Sequence, residues 1–333
     1  MDDAGCRQKS MKQGCRQKYS VSLLGRLFAG VALSVLTLLA SADSPPVYLL
    51  LSGEQSYYQE VSVVFQNTLA EQIDAPIVYI YGLDQALQVS PNSTVVAVGS
   101  KASEFALKHF PNDDIVSLLM PVAAWDELRS RLPGSGRRAA VVIDQPLERS
   151  LALGKLLVPS AKRVGAVFGP ISVASKPQLR SAVERSGMEL VYADLTSDDN
   201  PIGILTPLVQ KTDVFITVAD RAVFNKSVAK WLLYLSFRQK VSVIGFSQSY
   251  AKAGALAAVY SSPENIGRHG AELLANLLLP QEGSGVTAAN WRTYSPKYYT
   301  LEVNREVARA LNITVPELNS LYQEFQSVLE VMQ

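Results

Sequence analysis

The sequence predicts an α/β fold of two doubly wound parallel-sheet lobes joined by a hinge, and three observations carry that expectation. Short runs rich in Val, Ile, Leu and Ala alternate along the chain with helical stretches. These runs are continuously apolar, as strands are when helices cover both faces of a parallel sheet. The pattern then restarts after Lys162, and the 291 residues that follow the first 42 are many for one core and natural for two lobes.

Taken in order, Val47–Ser52 (VYLLLS) reads as a strand, and Tyr57–Gln72 as a helix with Val61, Val64, Phe65 and Leu69 at helical spacing. Ile77–Tyr81, Thr94–Gly99, Ile115–Met120 and Ala139–Asp144 follow as strands, separated by helical pieces such as Lys101–His109. The lobe boundary falls at Leu147–Lys162, where a helix ends at Leu156-Leu157-Val158-Pro159 and a fresh strand begins. Arg163–Phe168, Glu189–Leu195, Val214–Val218 and Val241–Phe246 are the second series of strands, with helices at Pro177–Ser186, Ile202–Lys211 and Val223–Gln239. Right-handed crossovers wind each series into a doubly covered sheet. Beyond Leu256 the pattern changes to a long amphipathic helix, Pro263–Leu279, closed by Pro280. A polar connection (QEGSGVTAAN), the segment Thr300–Val303 and two helices flanking Pro316 complete the chain. The expected organisation is a leader at 1–42, a first lobe at 43–157 completed by part of 290–333, a second lobe at 158–289, and terminal crossover and helices at 290–333.

The leader has its own logic. Arg7, Lys9, Lys12, Arg16, Lys18 and Arg26 precede an uninterrupted apolar stretch, Leu27–Ala40, and Ala40-Ser41-Ala42 is a small-x-small cleavage site. That stretch suits the core of a secretory signal, whereas a spanning helix needs roughly 20 residues. The expectation is a signal peptide cleaved near Ala42 and a periplasmic location, with an uncleaved anchor as the alternative and Met11 as an alternative start. The two cysteines, Cys6 and Cys15, both lie in this leader. A processed chain would therefore have no disulfide, thiolate metal site or cysteine nucleophile. Removing six basic and two acidic residues from totals of 31 and 30 leaves 25 and 28, a net of −3. Such a chain has no electrostatic footprint for nucleic acid.

Enzyme signatures are weak. Gly134-Ser135-Gly136-Arg137-Arg138-Ala139 fits G-x-G-x-x-A but precedes a strand, so no helix start is there to receive a pyrophosphate. Gly245-Phe246-Ser247-Gln248-Ser249 resembles a nucleophile elbow without its second glycine, and the only histidines are His109 and His269. No P-loop is present. The chain is expected not to be an enzyme and to need no cofactor or metal.

Ligands of open α/β sheets bind beyond the carboxyl ends of strands. That rule nominates Ser52-Gly53-Glu54, Gly99-Ser100-Lys101, Gly169-Pro170-Ile171-Ser172, Ala219-Asp220-Arg221 and Phe246-Ser247-Gln248. Gly99-Ser100 opens a helix, whose free N–H groups suit a carboxylate or phosphate. Each loop is equally a strand-to-helix cap of the kind any α/β protein needs. Tyr57, Tyr58, Phe168, Phe246 and Tyr250 are near enough to stack on a planar ligand or to pack the rim. Asp220-Arg221 reads either as a charge pair for a zwitterion or as a capping Asp beside a surface Arg.

Four segments from Leu156 onward resemble one family. Leu157-Val158-Pro159-Ser160-Ala161-Lys162-Arg163-Val164-Gly165 is similar to its "LVP-x-A-K-x-(I/V)-G" entry to the second lobe. Val241–Gly245 with Lys252-Ala253-Gly254-Ala255-Leu256-Ala257 resembles its "IPV…K-x-GALA" block, and Ile266-Gly267-Arg268 through Leu279 its "LGR…A…IL" helix. Val303–Leu311 with Val315-Pro316 resembles the closing "NxxxAxxLGIxxP". The family is that of ABC-transporter substrate-binding proteins related to those for aromatic amino acids, of the type I periplasmic-binding-protein fold. The resemblance implies a protein that closes over a small organic ligand and presents it to an inner-membrane ABC permease. A sensory module of the same fold, acting on a membrane receptor or kinase, is the alternative. It also implies ligand contacts from Gly169–Ser172 and Ser175, an acidic loop residue at Asp220, and a carboxylate-holding helix start at Gly99-Ser100. Ser52, Gly53, Phe246, Ser247 and Gln248 complete the candidate set. Phe246-Ser247-Gln248-Ser249 stands where amino-acid-binding relatives carry S-D-T-D, which removes two acids from the reach of an ammonium group.

Overall fold

A computed structural model describes residues 46–73, 78–85, 88–90, 93–196, 198–222, 224–278 and 291–332. The leader, Ile77, Val223, Leu279, Pro280 and the connection at 281–290 lie outside these residues. The first sheet comprises β1 (Val47–Leu51), β2 (Val78–Gly82), β3 (Thr94–Val98), β4 (Asp114–Met120), β5 (Arg138–Val142) and β11 (Trp291–Tyr294), in the order β11-β5-β4-β3-β1-β2. Every pairing in it is parallel. The second sheet repeats the plan with β6 (Arg163–Phe168), β7 (Glu189–Asp194), β8 (Val214–Ile216), β9 (Ser242–Gly245), β10 (Ala257–Tyr260) and β12 (Thr300–Val303), ordered β12-β10-β9-β8-β6-β7. Here the last strand, β12, runs antiparallel to β10. Both sheets are doubly wound, as the continuous apolar runs predict: β1, β3 and β5 are buried along their whole length.

The helices of the first lobe are α1 (Ser56–Gln72), α2 (Ser100–His109), α3 (Val122–Arg131) and α9 (Pro263–Leu278). Those of the second are α4 (Leu147–Leu157), α5 (Lys176–Arg185), α6 (Pro201–Val209), α7 (Lys226–Arg238), α8 (Gln248–Ala253), α10 (Arg305–Ala310) and α11 (Leu318–Met332). Each sheet has two apolar layers. In the second lobe α4, α5 and α11 cover one face with Val164, Ile216 and Ile244, while α6, α7 and α8 cover the other with Val167, Phe215 and Val243.

Three assignments differ from the sequence reading. Helix α4 belongs to the second lobe, because Leu147, Leu151, Leu153 and Leu157 pack against strands β6, β8 and β9. The long helix α9, expected in the second lobe, covers the first: Ile266, Leu273 and Leu274 pack with Val61, Phe65 and Leu69 of α1. Strand β10, Ala257–Tyr260, lies just past the point where the pattern was read as changing. The two helices share one cause. Periodicity shows which stripe a helix buries, but an apolar stripe does not name the sheet it covers.

The α1–α9 contact is close. A Cβ added at Gly267 would stand 2.7 Å from the Val61 carbonyl oxygen and 3.2 Å from the Phe65 nitrogen, both backbone atoms that cannot swing away. Gly203, on α6, meets nothing nearer than 3.9 Å. Gly267→Ala is therefore expected to destabilise by about 1–3 kcal/mol through overpacking. Gly203→Ala should stabilise by about 0.5–1 kcal/mol by restricting the unfolded chain. Urea midpoints of the two variants, which should move in opposite directions, check both.

Candidate functional site

The chain passes between the lobes three times, after β5, after β10 and after β11. A side-chain network ties the three crossings. Gln145 of the first donates its Nε2 to Ser261 Oγ of the second at 2.7 Å, and Ser261 Oγ donates to the Tyr298 carbonyl of the third at 2.5 Å. Arg149 donates to Gln145 Oε1 at 2.7 Å and to the Pro296 carbonyl at 2.8 Å, with its guanidinium 4.6 Å from the Tyr299 ring centroid. Further along, the Lys297 N–H donates to His269 Nδ1 at 3.2 Å, and Lys297 Nζ and the Tyr298 hydroxyl both donate to the Glu272 carboxylate. Burial alone would raise the Glu272 carboxyl, but these donors hold it below its usual range.

The first-lobe wall rises from the carboxyl ends of β1, β3, β4 and β5. Ser52 follows β1, and its Oγ accepts the Ala102 N–H at 2.9 Å. It caps α2 from a neighbouring strand, a task that Gly99 at the N-cap has no side chain to perform. The N–H groups of Ser100 and Lys101, first in the helix, have no intrahelical acceptor and follow the dipole toward any anion placed there. Gly99 has φ +89, and a Cβ on it would stand 2.5 Å from Ser52 Oγ and 2.7 Å from Tyr58 Cε1. Tyr58 packs at 4.3 Å on the exposed Tyr57, and burial followed by the Tyr57 hydroxyl pushes its phenol up. A β-bulge between Leu118 and Met120 puts Leu119 at φ 56, at the point where β4 meets this wall. Asp144, after β5, accepts the Val122 N–H at 2.7 Å and so caps α3, while burial pushes its carboxyl up.

The second-lobe wall is built from three strand-end loops, two of which are hydrogen-bonded to each other. Asp220, 3% exposed, accepts at a single oxygen, Oδ2, from Ile171 N (3.0 Å), Ser172 N (2.8 Å) and Ser172 Oγ (2.8 Å). Its Oδ1 accepts from Ala222 N at 3.0 Å. Gly169 N donates to Ser172 Oγ, and Ser175 Oγ donates to the Ser172 carbonyl. Asp220 is thus the staple that shapes Gly169–Ser175, and Arg221 beside it is exposed. Phe246 is half-buried, with its ring 4.9 Å from Tyr250, and Ser247 stands at the N-cap of α8 without a side-chain cap. Gln248 is exposed, and the Tyr260 hydroxyl donates to Glu302 at 2.8 Å.

The structure thus groups the candidates into two walls. Ser52, Gly53, Gly99 and Ser100 share the first lobe; Gly169, Ser172, Ser175, Asp220, Phe246, Ser247 and Gln248 share the second. Sequence reasoning did not single out Asp144, Gln145, Arg149, Ser261 or Tyr298. Asp144 ends a recognised strand and was open to the strand-end rule. The others depend on which segments cross between lobes.

The chain belongs to the ABC transporter substrate binding protein family, whose pattern matches residues 63–325. It is 26% identical over 145 residues to a tyrosine-binding protein of Clostridioides difficile, a match covering 42% of this chain and 40% of that relative. The ligand-free, open structure of a substrate binding protein with adhesive properties from Clostridium difficile has a TM-score of 0.60 at 18% identity, over 82% of this chain and 97% of that one. An ABC domain from Streptococcus pneumonia in complex with L-Trp has a TM-score of 0.51 at 17% identity, over 84% and 98%. These likenesses show the type I periplasmic-binding-protein fold.

Two expectations follow. Asp220→Asn puts an amide among converging N–H donors and should cost about 2–3 kcal/mol of stability, read as a lower urea midpoint. His269 is held neutral mainly by burial, so its folded value lies below the ordinary 6.5. The unfolded chain then binds the proton first. The contribution of neutral His269 is complete above about pH 6.5 and is lost as pH falls through the lower folded value. In His269→Asn, whose Oδ1 can accept the Lys297 N–H, melting temperature should fall less on acidification than in the parent; parallel profiles would count against this.

Proposed function

We propose that the protein binds a small organic ligand between its lobes and presents it to an ABC permease outside the cytoplasm. The observation that carries this reading is the pair of built walls at the carboxyl ends of both sheets, joined by crossings that are tied to one another. The first wall offers the α2 start, with Ser52 serving Ala102 and Gly99 keeping the approach to Ser100 and Lys101 open. These are features suited to a carboxylate. The second offers a loop whose shape Asp220 sets from within. That buried acid serves the loop, so a ligand's cationic group is assigned instead to Asp144, whose carboxylate accepts Val122 N–H beside the first crossing. Tyr57, Ile143, Val173 and Phe246, exposed or half-buried near these walls, supply apolar surface for an aromatic side chain.

Two relatives support an aromatic amino acid as the ligand class, a tyrosine-binding protein and an ABC domain in complex with L-Trp. Aromatic amino acids are the first compounds to test. A ligand touching both walls favours the closed arrangement by its extra contacts there and so shifts the hinge population.

Calorimetry with L-tyrosine and L-tryptophan, paired with small-angle scattering, tests the reading. Binding should reduce the radius of gyration. Gly99→Val should abolish binding, because its side chain would fill the space between Ser52 and Tyr58. Asp144→Asn should weaken it at least tenfold. Failure of both amino acids to bind, together with native mass spectrometry showing no co-purifying small molecule, would overturn the proposal.

A further inference from the structure

We infer that the outer face of α7 is a docking surface for an anionic lipid bilayer. Helix α7 buries Val228, Leu232, Leu233 and Ser236 against the second sheet. Its opposite face carries Lys226, Lys230, Tyr234, Phe237 and Arg238, spaced i, i+4, i+8, i+11 and i+12 along one side of the helix. Tyr234 is 61% exposed and Phe237 48%, among the most open large apolar side chains of the described residues. Arg238 lies against Tyr234, with its guanidinium 5.9 Å from the ring centroid. Helix α6, which packs beside α7 on the same sheet face, exposes Ile202.

Helix α7 itself carries Lys226, Lys230 and Arg238 and no acid, and the segment of chain it belongs to is basic. From Asn200 to Pro263 the chain carries seven cations, Lys211, Arg221, Lys226, Lys230, Arg238, Lys240 and Lys252, all exposed. The acids of that stretch are Asp213 and Asp220 alone. Asp213 is paired with Arg163, and Asp220 is sealed in its loop. The stretch therefore has a net charge of +5 in a chain that is −3 beyond Ala42, which leaves −8 for the remainder. Asp198 and Asp199, the acids preceding it, come before α6, and Asp199 accepts from Thr196.

The composition selects the partner. Protein–protein interfaces are depleted in Lys, whereas faces that rest on membranes combine Lys and Arg with Tyr, Trp and Phe at headgroup depth. A helix face with no acid of its own has little to set the register of a protein partner. It suits a broad negative plane, to which each Lys or Arg near the surface adds about fivefold in binding. The face flanks the second sheet on the layer shared with α6 and α8, opposite the layer of α4, α5 and α11. The inference does not depend on which ligand the walls hold.

The test uses the compact unit Ser44–Gln333, which contains every core cluster and omits the apolar leader. Co-sedimentation with phosphatidylcholine vesicles is compared with vesicles containing about 30% phosphatidylglycerol, the charge regime in which basic faces bind. Binding to the anionic vesicles should be at least tenfold stronger and should be lost in high salt. Lys230→Glu with Arg238→Glu should reduce it at least tenfold. Tyr234→Ser with Phe237→Ser should reduce it severalfold, with unfolding midpoints retained because all four side chains are exposed. Equal partition onto both vesicle types overturns the inference. So does no binding to the anionic ones, a result that would turn the face toward an acidic protein surface.

Discussion

The arrangement of this molecule depends on three short crossings being held in one place. Each lobe is internally secured by a largely parallel sheet with helices on both faces, but among the described residues no sheet ladder runs between lobes. What fixes one wall against the other is a chain of polar contacts, from Arg149 to Gln145, to Ser261, to the Tyr298 carbonyl. Such bonds are individually modest, about 0.5–1.5 kcal/mol each, and are directional. They define a pivot without welding it. Arg149 adds a cation–π contact with the Tyr299 ring, 4.6 Å to its centroid.

Both walls solve the same local problem in the same way. A strand-to-helix loop leaves N–H groups without acceptors, and in each lobe a polar side chain from a different loop supplies the acceptor. Ser52 serves Ala102 across fifty positions of sequence, and Asp220 serves Ile171 and Ser172 across nearly as many. The loops are therefore held by bonds made within each lobe, and Gln248 beside them is exposed. On the proposed reading, such preorganisation spares ordering entropy when a ligand binds.

Much of this was legible in the sequence, for physical reasons specific to each part. Parallel strands buried on both faces write themselves as unbroken runs, so VYLLL, TVVAV and RVGAVF were visible directly. The strand-end rule then located Ser52, Gly99, Gly169, Asp220 and Phe246, because fold geometry alone places those loops at one end of each sheet. The partners inside the site were not legible. Whether Asp220 faces a ligand or its own lobe depends on the turn of a few backbone N–H groups, which no spacing encodes. The lobe membership of α4 and α9 was equally hidden, since their apolar stripes would serve either sheet. Glycine pointed the way late: Gly267 and Gly270 mark where α9 lies close on α1 and on Leu118 of β4.

The return of α9 and β11 to the first lobe has a consequence for how the chain is made. The first lobe is discontinuous, with β1 to β5 ending at Val142 and its remaining helix and strand waiting until Leu278 and Tyr294. A polypeptide that emerges amino end first therefore displays the side of α1 that α9 will cover, including Phe65 and Leu69, while the second lobe as far as β10 is still being extruded. At about 5–20 residues per second of synthesis, that interval lasts many seconds. The second lobe has a smaller debt, since it lacks only β12, α10 and α11 when β10 is complete. The lobe that begins first is thus the one that finishes only after its neighbour's five parallel strands have emerged, and its unfinished apolar surface is where a holding chaperone has most to gain.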